Sequence, residues 1–71
     1  MAIPGPGSPE AFLSYAVDWV DDANDRFDMG MRASAQESIR IAAQMYIQLP
    51  RGYSDPDFER YYEETLKKVY G

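Results

Sequence analysis

The segment Met31–Pro50, MRASAQESIRIAAQMYIQLP, carries the broadest apolar face in the chain. At about 100° per residue, Ile39, Ala42, Ala43, Tyr46, Ile47 and Leu49 fall on one side, and Ile41 and Met45 widen it. The polar positions reduce to a stripe of Glu37, Arg40, Gln44 and Gln48, spaced three or four apart. A helix on the rim of a domain has a narrower apolar arc. This one is therefore expected to be covered on two sides, by two other helices or by another chain. Ser34-Ala35-Gln36-Glu37 matches the capping-box pattern, in which the serine takes the Glu37 amide and the glutamate reaches back. That places a second helix at about 34–49, with a start near Met31 as the alternative. Pro50 and Gly52 stop it.

Two further stretches show helical periodicity. Ser8-Pro9-Glu10 combines a cap, a proline suited to the first helical position and an acid near the positive end of the dipole. Phe12, Ala16, Trp19, Val20, Ala23 and Phe27 then repeat at three and four, so a first helix is expected over about 9–28. Gly30 suits a left-handed cap after it. Downstream, Asp55-Pro56-Asp57 opens a third helix over about 56–70, with Phe58, Tyr61, Tyr62, Thr65, Leu66 and Val69 as its inward stripe. Glu63 with Lys67, and Glu64 with Lys68, are spaced for pairing along that helix. No strand pattern and no internal repeat is present. The fold class expected is all-α: a small three-helix bundle with antiparallel successive helices. One helical domain covers 8–71, preceded by an extended, flexible arm over 1–7, where Ile-Pro-Gly-Pro-Gly prevents a regular element.

Size and composition narrow the chemistry. Seventy-one residues make one small domain with a modest core. The chain has neither cysteine nor histidine. That removes disulfides, thiolate metal sites and the commonest general base. The first ten residues have no basic region followed by an apolar core, and no apolar run approaches the roughly 20 residues of a membrane span. The expectation is a soluble, cytoplasmic protein that does not bind membranes.

The formal net charge is −5, and it is unevenly spread. Between Met1 and Met31 there are six acids and one base, whereas Arg32–Arg51 carries three bases and one acid. Asp18, Asp21, Asp22, Asp25 and Asp28 fall together on the wheel, opposite the apolar face of the first helix. An EF-hand reading fails in both registers. With Gly30 as the sixth position, Phe27 and Met29 occupy ligand positions; from Asp22, Arg26 does. Met29, Met31 and Met45 are better read as adaptable fillers than as a thioether metal site.

Motifs of other small helical proteins are missing. There is no Asp-Ser-Leu of an acyl-carrier domain and no Trp-x-x-Leu-Gly of a tetratricopeptide repeat. A DNA-reading third helix would bring Asp57, Glu59, Glu63 and Glu64 against phosphates, so direct nucleic-acid binding is not expected. No nucleophile or base stands in a recognisable catalytic motif, so neither an enzyme nor a cofactor is expected.

The function expected is that of an adaptor or regulatory subunit that binds another protein with a basic surface. The candidate partner-binding residues are Asp18, Asp21, Asp22 and Asp25 on the first helix, and Tyr53 in the loop before the third. Surplus apolar surface on the second helix is a further candidate. Two alternatives stand beside it: an inhibitor of a nucleic-acid-binding enzyme that mimics nucleic-acid charge, and a structural subunit that self-assembles, for example as a homodimer through the second helix.

Overall fold

A computed structural model describes residues 9–50 and 52–71. The arm expected over 1–7, the Ser8 cap and Arg51 lie outside the described residues. The described residues form three helices: α1 (Pro9–Asp28), α2 (Arg32–Tyr46) and α3 (Pro56–Tyr70). There is no strand among the described residues. The α1–α2 pair is the most extensive packing, and α3 lies against both. Contacts fix the directions. Asp22 meets Ser38, so α1 and α2 run antiparallel from their short link. Asp21 meets Tyr61, Asn24 meets Thr65 and Asp28 meets Lys68, so α3 runs parallel to α1.

The core is built mainly from the expected stripes, with Ala35 of α2 added to them. Ala16, Val20 and Ala23 of α1, Ala35, Ile39 and Ala42 of α2, and Phe58 and Val69 of α3 are buried together. Alanines on the α1 and α2 faces allow close approach of the two rods. The broad apolar arc of α2 is covered from two sides, by α1 and by α3. Its polar stripe (Glu37, Arg40, Gln44 and Gln48) faces outward.

Three local expectations are corrected. First, α2 spans Arg32–Tyr46, so it takes the alternative start near Met31 and not the one at 34, and it ends before 49. Gly30, at φ +82°, closes α1 with Gly30 N–H donating to the Phe27 carbonyl and Met31 N–H to the Arg26 carbonyl. This pairing is a Schellman motif. It reverses the chain so quickly that Met31 becomes the residue flanking α2, and its carbonyl accepts from Ala35 N–H at 2.9 Å. No side chain caps this end. Ser34 therefore sits inside the first turn, and the capping box with Glu37 does not form.

Second, regular α-helix stops at Tyr46. Gln48 and Leu49 donate to carbonyls only three residues back, those of Met45 and Tyr46, as the chain tightens ahead of Pro50. Ile47, whose N–H still bonds back to the Ala43 carbonyl, is 77% exposed instead of joining the apolar arc.

Third, Lys68 does not pair with Glu64. Its ammonium donates to Asn24 Oδ1 at 2.9 Å and lies 3.4 Å from Asp28. Glu63 and Lys67 form no ion pair either.

The start of α3 follows the expectation. Asp55 Oδ1 accepts from Phe58 N–H at 2.9 Å, with Pro56 at the first helical position. Tyr46, at the end of α2, braces this start. Its hydroxyl accepts from Asp55 N–H and donates to Glu59 Oε2 at 2.6 Å, while its ring stacks on Phe58 at 4.6 Å. At the other end of α3, Gln36 Nε2 donates to the Val69 carbonyl at 3.0 Å, satisfying an acceptor left open by the helix terminus. No helix among the described residues is long and apolar enough to cross a membrane.

Candidate functional site

The aspartates of α1 do not form one uniform stripe. On a helix, adjacent residues point about 100° apart, and Asp21 and Asp22 are divided by that angle between two neighbours. Asp22 turns toward α2. Its Oδ2 accepts from Ser38 Oγ at 2.7 Å and from Arg26 Nε at 2.6 Å. Asp21 turns toward α3, where its Oδ1 accepts the Tyr61 hydroxyl proton. Asp28 pairs with Lys68. Asp18 and Asp25 remain exposed, with no ion pair among the described residues.

These attachments change the ionisation of the groups involved. The Ser38 hydroxyl, and secondarily the Arg26 guanidinium, hold the Asp22 carboxyl below its ordinary value against a partial loss of hydration. Burial, reinforced by the Asp21 carboxylate, pushes the Tyr61 hydroxyl up to about 12. Tyr61 therefore keeps its proton near neutrality and stays a donor. Burial and the Glu59 carboxylate likewise raise Tyr46.

Between α1 and α3 sits a polar network that the sequence reading did not find. Asn24 Nδ2 reaches Thr65 Oγ1 at 2.9 Å, the Tyr61 hydroxyl at 3.2 Å and the Val20 carbonyl at 3.1 Å. Its carbonyl oxygen accepts from Lys68. Thr65 and Ser38 are each only 2% exposed. Two hydroxyl residues inside otherwise apolar stripes were the available signal, since a buried hydroxyl needs a partner. Among the described residues no buried side-chain nitrogen or oxygen is left unsatisfied.

One shallow open depression lies on the outer flank of α1, lined by Asp18, Trp19, Asp22 and Arg26. Trp19 packs partly against the core and leaves the rest of its indole at the surface. Tyr15, one turn earlier, is 47% exposed. Asp18 and Asp22 flank the indole at one residue before and three after.

The other candidates are placed differently. Tyr53 is half-buried in the α2–α3 connection, where its N–H donates to the Pro50 carbonyl at 3.0 Å. No hydrogen bond joins it to the α1 acids. On α2, Ile41 and Met45 are half-buried. No group of three or more acidic residues among those described is arranged to hold a metal ion.

The α1 flank presents an indole, two carboxylates and a guanidinium already committed to one of them. No protein-family model matches the chain, and neither a curated protein nor a solved structure is similar to it.

Proposed function

We propose that this domain is a small interaction module without chemistry of its own, and that it binds another protein through the outer flank of α1. The observation that carries the reading is Trp19, the chain's single tryptophan, left partly at the surface between Asp18 and Asp22. Partly exposed aromatic side chains are frequent anchors of protein interfaces. The surrounding charge selects the partner's sign: α1 holds six acids and one base, so a basic surface is steered toward it.

The same flank supports the two alternatives less. A nucleic-acid mimic needs a row of free carboxylates, and the row on α1 is interrupted where Asp21 and Asp22 turn to the other helices. Self-assembly through α2 needs apolar surface that α1 and α3 largely occupy.

The test is affinity capture from the native source at low and raised ionic strength. It uses the natural sequence, the double variant Asp18→Asn with Asp25→Asn, and a control double variant Glu63→Gln with Glu64→Gln on α3. A partner retained by the natural and control proteins, released by salt and lost with the α1 variant supports the reading. A partner held equally by all three removes the flank of α1 from the interface.

A further inference from the structure

We infer that the depression on α1 seats an arginine side chain of the partner, its guanidinium lying on the Trp19 indole and facing Asp18. This rests on the reading of the α1 flank as the docking surface, and it adds the chemical group recognised there. Three features of the flank lead to it.

The first is an arrangement already made within the chain. At one end of the depression Arg26 Nε pairs with Asp22 Oδ2 at 2.6 Å. A guanidinium–carboxylate pair thus fits the spacing of this helix face. Ser38, itself buried, holds the same oxygen from the α2 side. The Asp22 carboxylate is therefore fixed in place, while its Oδ1 carries no hydrogen bond among the described residues.

The second is the vacant half of the same face. Asp18 lies one turn before Asp22, away from Arg26, and no cation of the chain pairs with it among the described residues. Tyr15 and Trp19, four residues apart, put two aromatic side chains on the side of this half. An acid beside an exposed phenol and a half-buried indole is a combination that holds a cation by charge and by ring quadrupole together.

The third is the distinction between the two cationic side chains. A guanidinium is planar and weakly hydrated, so it stacks on an indole while pairing with a carboxylate; an ammonium is a compact, strongly hydrated point charge. An open depression on a helix surface leaves an ammonium largely in water. Arginine is therefore the better occupant.

Two synthetic peptides, hexa-arginine and hexa-lysine, serve as probes at low ionic strength. Binding is followed by Trp19 fluorescence and by amide chemical shifts. The natural protein should bind hexa-arginine more tightly than hexa-lysine, by no more than about two- to fivefold, since an exposed cation–π contact is worth that much in total and an ammonium makes part of it. Amide shifts should centre on Tyr15–Asp22. Trp19→Leu, which keeps an apolar group against the core, should abolish the preference for arginine while retaining weak binding of both peptides. Asp18→Asn should weaken both. Chemical denaturation confirms that each variant is folded, and Trp19→Phe supplies a milder substitution should the leucine variant fail that check. Equal binding of the two peptides, with shifts spread over every acidic surface, overturns the arginine seat and leaves a general acidic docking face standing. Shifts on α1 from neither peptide overturn both the seat and the basic partner.

Discussion

Asp21 and Asp22 are adjacent in the chain and attach α1 to different helices, Asp21 to Tyr61 on α3 and Asp22 to Ser38 on α2. The rotation between successive helical residues lets a pair of acids act as a two-sided bracket. One member accepts from a half-buried phenol, the other from a buried serine. Each attachment has its own pH signature, because one partner is an acid with a lowered pKa and the other a phenol with a raised one.

The Asp22–Ser38 contact should make stability acid-sensitive. The carboxyl of Asp22 is held below its ordinary value in the folded state. Its contribution is therefore fully present above the unfolded carboxyl pKa and is lost as pH falls through the folded one. Ser38→Ala should lower stability near neutrality by about 1 kcal/mol, the net worth of one hydrogen bond. It should also flatten the loss of stability on acidification. Urea midpoints for both proteins from pH 7 down to pH 2 check this. Parallel curves would show that Ser38 does not hold the carboxylate.

The Asp21–Tyr61 contact should be alkali-sensitive. The Tyr61 pKa rises from 10.0 to about 12 on folding. Between those values the unfolded chain has lost the phenol proton and the folded chain retains it, so stability falls as pH rises through the window. Absorbance titration at alkaline pH should show Tyr61 among the late-ionising tyrosines, with Tyr46 and Tyr62 also raised, and Tyr61→Phe should take one tyrosine out of that late phase. It should also reduce the alkaline loss of stability.

The helix ends separate an expected cap from the observed ones. Asp55→Ala should cost about 1 kcal/mol, because its carboxylate takes the Phe58 amide. Gly30→Ala should cost about 1–2 kcal/mol from its left-handed backbone alone, since an added Cβ meets nothing within 4 Å. Ser34→Ala should change stability by no more than about 0.5 kcal/mol, as Ser34 caps nothing. Urea denaturation of the three variants orders them. A large effect at Ser34 would restore the capping box.

Two isoleucines of the same sequence face should differ. Ile39 is 1% exposed in the centre of the core, whereas Ile47 is left in solvent. Ile39→Val should cost about 0.5–1.5 kcal/mol. Ile47→Val should stay within about 0.5 kcal/mol. Equal costs, measured by the same denaturation, would place Ile47 back in a packed position.

Much of this architecture is legible in the one-dimensional pattern. The apolar stripes of α1 and α3, the Asp55-Pro56 start and the Gly30 stop are local signals, each set by backbone geometry within a few residues. They predict three helices, and three helices form. The misreadings fall where two local signals compete. At Ser34 a capping pattern was available, but the tight closure at Gly30 had already begun the helix two residues earlier. Ile47 is a different case: its backbone still bonds back to the Ala43 carbonyl, yet its side chain is left uncovered, which periodicity alone does not reveal.

By itself, then, the sequence determined the number of helices, their inward faces and the surplus of negative charge on the first. Those properties follow from residue spacing and from counting. Only the tertiary structure decided which aspartates are free. Asp21, Asp22 and Asp28 look alike on a helical wheel to Asp18 and Asp25. Their partners Tyr61, Ser38 and Lys68 lie 40, 16 and 40 residues away in the chain. Spacing along one helix carries no information about what a second helix places opposite it. The division between acids that fasten the bundle and acids left exposed was therefore set only when the helices packed.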